Sequence, residues 1–285
     1  MRMNRMPHRF AAALLTCALA LGAAGCGSRR EPPPGALTGT VSVSGSTAVL
    51  PLALAAKELF EEQHEWVTVN VSGGGSFNGL NQVATGAVDI GTSDIEAPAE
   101  IAEGLVEYKV AVSPFVIVVH QDLPIENLTL EQAAQIFRGE ITNWRDIGGP
   151  DLPITVVSRP QSSGSRATIV ATVLKNQGDI TRTALVQDSN GKMRDTIVST
   201  PGAIGYLEAS YYQPGMGRAV TIDGVAYSPE AVLSGQYPIY AYGRMYTKGE
   251  PAGAVKAYLD FILSAEFQEG YLEELKFIPI TKMAE

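Results

Sequence analysis

The stretch Ser158-Arg159-Pro160-Gln161-Ser162-Ser163-Gly164-Ser165-Arg166 gathers the groups needed to hold an oxyanion. Arg159 offers a planar guanidinium fork, Ser163 and Ser165 add hydroxyl donors, and Gly164 lets backbone come close to a ligand. Upstream, Ile154, Val156 and Val157 have strand character; downstream, Arg166 to Asn176 is rich in residues that can continue a helix. The serines therefore fall where a strand gives way to a helix. The first N–H groups of a helix have no partner inside it, and the helix dipole adds partial positive charge there, so that end attracts anions. Taken alone, the stretch reads more readily as a Ser-rich loop that only caps a helix.

The same junction occurs twice more. Gly39 to Gly45 alternates as a strand, and Ser46-Thr47-Ala48 opens a helical run from Val49 to His64, with Pro51 in the first turn where a missing donor costs least. Trp66 to Val71 alternates again, and Gly73-Gly74-Gly75-Ser76 leads into a helix over Phe77 to Thr85. Three such junctions beside glycines weigh against simple capping. Gly86 to Asp94 then forms a short buried strand that ends in a polar turn. Asp94 is the odd member, because a carboxylate beside an anion site is normally repulsive; a solvated turn aspartate is the local alternative.

Further along, Ser113 to His120 is the most apolar strand, placed where the chain would cross into a second domain. Leu128 to Gly139 has helical spacing with Gly139 as its stop, Ala203 to Leu207 is another buried strand, and Tyr237–Tyr240 and Met245–Thr247 cross back. The amphipathic segment Gly253 to Leu275 packs on the first domain. Tyrosines 206, 211, 212, 240, 242 and 246 read as core and domain-interface packing. Arg166, which follows the donor loop, is expected to point outward from its helix.

Composition bounds the rest. Residues 1–25, with Arg2, Arg5 and Arg9 before an apolar run, predict an export signal too short to span a membrane. Ala23-Ala24-Gly25-Cys26 resembles a bacterial lipobox, with Ala23 where leucine is usual, and implies lipidation of Cys26. Residues 26–36 form a proline-rich tether. The only other cysteine, Cys17, lies in the signal, so no disulfide is expected. Removing residues 1–25 takes three of 21 basic residues and none of 30 acidic ones, moving the net charge from −9 to −12 and making nucleic acid an unsuitable partner. His64 and His120 stand alone without metal-ligand spacing, and neither a G-x-S-x-G elbow nor a P-loop is present. No enzyme, metal or cofactor chemistry is implied.

With these residues laid out, the chain resembles the phosphate-binding proteins of bacterial ABC importers, from about Gly39 to Ile280. The carrying motifs are Ser-Gly-Ser-Thr-Ala at 44–48, Gly-Gly-Gly-Ser at 73–76, Asp-Ile-Gly-Thr-Ser-Asp at 89–94, Ile-Thr-Asn-Trp at 141–144, Ser-Arg-Pro at 158–160 with Ser-Gly-Ser at 163–165, and Ala-Ile-Gly-Tyr at 203–206. The resemblance implies a two-lobed α/β fold of the periplasmic-binding-protein type (type II), with lobe I over 37–113 and 238–285, lobe II over 114–237, and two crossing strands. It also implies phosphate contacts from Thr47, the Ala48 backbone, Ser76, Asp94, Arg159, Ser163, Gly164 and Ser165, the last standing where the family more often has threonine. Asp94 then acts as a selector, accepting a proton that phosphate has and sulfate lacks. The implied protein is exported, lipid-anchored on the outer face of the cytoplasmic membrane, and monomeric, and it delivers phosphate to the permease subunits of a transporter. Alternatives are capture of sulfate, molybdate or tungstate, a secreted phosphatase, and a lipoprotein that delivers its ligand to a sensor.

Overall fold

Alternating valines make β1 (Gly39–Gly45) a strand with Val41 and Val43 buried, and α1 (Leu50–Gln63) follows with Pro51 in its first turn. The computed structural model describes residues 31–283, of which those from Gly35 onward form one unit. The predicted signal and Cys26 lie outside the described residues. β2 (Val67–Gly73) runs parallel to β1 with Val69 opposite Val41; after α2 (Ser76–Thr85), β3 (Ile90–Ser93) pairs on the other side of β1 with Ile90 opposite Val43. This βαβαβ unit brings the ends of β1 and β3 and the start of α2 together.

After the short α3 (Ala99–Ala102) comes β4 (Leu105–Val119), which begins well before the expected Ser113. Glu107 and Lys109 face outward in its first half and hide the strand from a search for apolar runs. Then follow β5 (Asn127–Leu128), α4 (Leu130–Arg138), β6 (Thr155–Ser158), α5 (Gly164–Thr172) and β7 (Leu185–Val186). Thr129 and Gln132 form a capping box that starts α4 two residues later than Leu128, and Gly139 closes it at φ 79°, as expected. Ser163 caps α5, which therefore starts at Gly164 and places the serines on its first turn.

The chain continues through α6 (Asn190–Ser199), β8 (Ala203–Glu208), β9 (Arg218–Ala219), β10 (Thr221–Ile222), α7 (Pro229–Leu233), β11 (Tyr240–Lys248), α8 (Gly253–Leu263) and α9 (Ala265–Gly270). The terminal helical segment is thus two helices, broken at Ser264, whose hydroxyl caps the second. Of the two tyrosine-rich segments expected to cross back, Tyr237–Tyr240 leads into β11 at Tyr240 and Met245–Thr247 lies within it, with a register shift between Gly243 and Arg244.

The sheet order is β2-β1-β3-β11-β4-β8-β6-β7, with β9 also on β4 and a separate β10-β5 pair. β4 is the long member that joins two halves: its first part pairs antiparallel with β11 and its last five residues with β8. Pro114 faces Tyr240 and Phe115 N–H donates to Ile239 O at 2.8 Å, so the two crossing strands run side by side. One apolar cluster holds Val41, Leu52, Phe60, Val69, Tyr258 and Phe267; another holds Ile117, Phe137, Trp144, Ile204 and Tyr237. The architecture is mixed α/β in two lobes.

Two glycines fix how closely α2 lies on the sheet. A Cβ on Gly79 would meet Gly45 Cα at 2.6 Å and Ser44 O at 2.7 Å, and one on Gly91 would meet Gly79 O at 2.5 Å. These contacts are backbone to backbone and cannot be relieved by turning a side chain. Gly79→Ala should cost about 1–3 kcal/mol and lower the thermal midpoint by roughly 2–12 °C in scanning calorimetry. An unchanged midpoint would mean that α2 lifts freely from the sheet.

Candidate anion-binding site

Asp94, just past β3, sits 3% exposed at the centre of a hydroxyl cluster. Ser46 Oγ donates to its Oδ1 at 2.5 Å and Ser165 Oγ to its Oδ2 at 3.0 Å, while Asp94 N–H donates to Ser76 Oγ at 3.0 Å. Burial pushes the carboxyl up from the usual carboxylate range; the two serine hydrogen bonds and the charges of Arg159 and Arg244 oppose it. Arg244 Nη1 also donates to Asp94 O at 3.3 Å, tying the turn to β11.

Arg159 extends from the end of β6 and is 2% exposed. Its Nε donates to Gln187 O at 2.9 Å and its Nη2 to Asp188 O at 2.8 Å, whereas its buried Nη1 has no hydrogen-bond partner among the described residues. Behind it, Arg159 N–H donates to Tyr206 Oη at 3.2 Å, and that hydroxyl also lies 3.1 Å from Ser158 Oγ. Burial pushes the Tyr206 phenol up to about 12, so it stays neutral at physiological pH. A buried cationic donor without an acceptor is costly, so this arrangement calls for an anion.

The start of α5 presses against the start of α2. A Cβ on Gly164 would fall 2.2 Å from Ser76 Oγ and 3.0 Å from Asp94 Cβ, so only glycine allows the approach. Phe77 N–H donates to Ser162 O at 3.2 Å across the same gap. Ser163 Oγ accepts Arg166 N–H at 3.3 Å. Arg166 itself is committed to Asp179 Oδ1 at 2.6 Å and Gln161 Oε1 at 3.1 Å, and so is set apart from the donor cluster.

The structure therefore brings Thr47, Ala48, Ser76, Asp94, Arg159, Ser163, Gly164 and Ser165 into one buried region built from four strand ends. Two of the expected ligand donors are already spent within the protein: Ala48 N–H donates to Ser46 Oγ at 3.0 Å, and Ser165 Oγ donates to Asp94. Sequence reasoning missed the roles of Ser46, Asn190, Tyr211 and Arg244. Ser46 stood inside a motif already singled out. Asn190 opens α6 behind the Ser189 cap, which a search for Ser-capped helix starts would have found. Tyr211, read as packing, donates to Thr47 O at 2.7 Å, a contact with no local signal.

A family model for the PBP superfamily domain matches residues 31–266. The phosphate-binding protein PstS of Bacillus subtilis (strain 168) is 38% identical over 282 residues, covering 95% of this chain and 93% of that relative. The chain belongs to this family of binding proteins. Its fold is also similar to a solved Clostridium perfringens protein described as a phosphate ABC transporter substrate-binding protein with bound phosphate, at 32% identity and TM-score 0.80, covering 85% of this chain and 100% of that one. An ABC-type phosphate transport receptor from Vibrio cholerae gives 27% identity and TM-score 0.69, with 84% and 99% covered.

In this family member a second carboxyl lies at the crossing. Glu208, fully buried opposite Phe115 of β4, accepts Ser210 N–H at 3.0 Å and the Ser210 hydroxyl on Oε2, while its Oε1 has no partner among the described residues. Burial pushes it well above the ordinary 4.5, and the Asp94 charge acts in the same direction. The folded chain holds this proton where the unfolded chain has released it, so the contribution to stability is full below about pH 4.5 and is lost as pH rises through the folded value. Asp94 has the same sign. Glu208→Gln should therefore gain thermal midpoint over the parent as buffer pH rises from about 5 to about 8. A gap that does not change with pH would contradict the assignment.

Proposed function

We propose that the protein is an extracytoplasmic solute-binding protein that captures inorganic phosphate and delivers it to an ABC transporter. Its family consists of transport binding proteins, not enzymes. The observation that carries the reading is the buried Arg159 Nη1 without a partner, in the same cluster as a buried carboxyl. A cation alone would accept any oxyanion. The carboxylate at Asp94 adds choice: each of its oxygens accepts one serine hydroxyl and keeps acceptor capacity for a proton on the ligand. Phosphate still carries a proton at neutral pH and sulfate does not, and a buried group left unpaired by the wrong ligand can enforce roughly 10⁴–10⁵ discrimination.

In this reading Thr47, the Ala48 backbone, Ser76, Asp94, Arg159, Ser163, Gly164 and Ser165 contact the anion. Lobe I comprises 37–113 and 238–285, and lobe II 114–237; the two apolar clusters and the side-by-side crossing strands support that division. Ligand favours the closed form through contacts from both lobes, and release follows when a permease draws them apart. The acidic surface does not oppose binding, since distant charge is screened beyond about 8–10 Å. Cleavage after residue 25 and lipidation of Cys26 would anchor a monomer at the outer face of the membrane; Cys26→Ser should then shift the protein from the membrane fraction to the soluble one, and an unchanged distribution would refute anchoring there.

Calorimetry with phosphate, arsenate, sulfate and molybdate tests the reading. Phosphate should bind and sulfate should not. Asp94→Asn should weaken phosphate binding and narrow its lead over sulfate, and Arg159→Ala should weaken binding by roughly 30-fold or more. Unchanged affinities in both variants would sink the assignment.

A further inference from the structure

Thr47 is held by residues from the far side of the cleft. Asn190, the fully buried first residue of α6, donates from Nδ2 to Thr47 Oγ1 at 3.2 Å, and Tyr211 Oη donates to Thr47 O at 2.7 Å. The orientation of the Asn190 amide is fixed by its other partner. Glu208 N–H, which can only donate, meets Asn190 Oδ1 at 3.2 Å, so the NH₂ group faces Thr47.

That orientation decides what Thr47 can do. A hydroxyl has one proton and two acceptor positions. With an acceptor position taken by the Asn190 amide, its proton remains to be given away. That proton is not given to the nearby carboxyl of Asp94, whose hydroxyl partners are Ser46 on one oxygen and Ser165 on the other. An aspartate at 190 would do the reverse, drawing the Thr47 proton toward itself.

We propose that Asn190 is a positioning and specificity residue for phosphate: its amide sets Thr47 Oγ1 as a donor to the anion and, with Tyr211, latches the second lobe onto the β1–α1 turn only when the cleft is closed. The inference rests on the reading that phosphate occupies the Asp94–Arg159 cluster. It makes donor geometry and closure depend on one side chain, so an anion that binds without closure receives no hydrogen bond from a correctly turned Thr47.

The test is a double-mutant cycle on the full soluble protein, titrated with inorganic phosphate by calorimetry. Asn190→Asp keeps the acceptor for Glu208 N–H and replaces the amide donor by a second oxygen; a loss caused only by added charge or poorer packing would persist in the Thr47→Val background, whereas a loss acting through Thr47 would not. Asn190→Asp and Thr47→Val should each weaken phosphate binding roughly 10- to 100-fold, and the double variant should match the weaker single variant within about twofold. Asn190→Ala, assayed in parallel, should show the same coupling. Asn190→Asp binding as tightly as the parent, or losses that multiply in the double variant, would overturn the inference while leaving the phosphate reading intact. A parent protein that binds no phosphate would overturn both.

Discussion

A guanidinium that is almost wholly buried, with two nitrogens committed to loop carbonyls and the third without a partner, is an incomplete electrostatic arrangement. Desolvation pulls Arg159 down and works against its charge, and its neighbours, Tyr206, Asp94 and Asp188 among them, oppose this only in part. Arg159 keeps one buried donor without an acceptor, and Asp94, buried among serine hydroxyls, keeps acceptor capacity. An anion that also carries a proton satisfies both at once, accepting from Arg159 and donating to Asp94. The rest of the fold can be understood as the means of holding these two groups close without letting them neutralise each other through direct contact.

The means are strand ends, helix starts and glycines. β1, β2 and β6 each deliver the chain to the first turn of a helix, so backbone N–H groups and short hydroxyls collect where positive potential already exists. Gly79, Gly91 and Gly164 remove the side chains that would keep these turns apart. The cleft is crossed by hydrogen bonds at Ser165–Asp94, Asn190–Thr47, Tyr211–Thr47 and Phe77–Ser162, each short in reach. Such contacts exist only when the two lobes lie together, which links anion capture to closure rather than to any single residue.

Much of this was legible in the sequence because it is local. Strand-to-helix junctions announce themselves by alternating valines followed by glycine and serine, and the three that matter begin within a residue or two of where they were expected. Asp94 was visible as an acid out of place. What stayed hidden is long-range or masked. The first half of β4 was obscured by Glu107 and Lys109 on its outer face, and α6 by a composition of polar residues and Gly191 with little helical periodicity. Asn190, Tyr211 and Arg244 act on residues more than a hundred positions away, and no spacing rule connects them before the chain folds. The tyrosines read as packing do pack, and two of them also use their hydroxyls, Tyr206 behind Arg159 and Tyr211 across the cleft.

The central claim is that one anion satisfies Arg159 and Asp94 together, and the most direct measurement is a high-resolution crystal structure of the protein grown with phosphate. The account predicts a phosphate with one oxygen about 2.7–2.9 Å from Arg159 Nη1 and another oxygen about 2.5–2.7 Å from an Asp94 carboxylate oxygen, the latter pair sharing a proton. A phosphate bound elsewhere, or one that contacts Arg159 while Asp94 remains engaged only with Ser46 and Ser165, would contradict it.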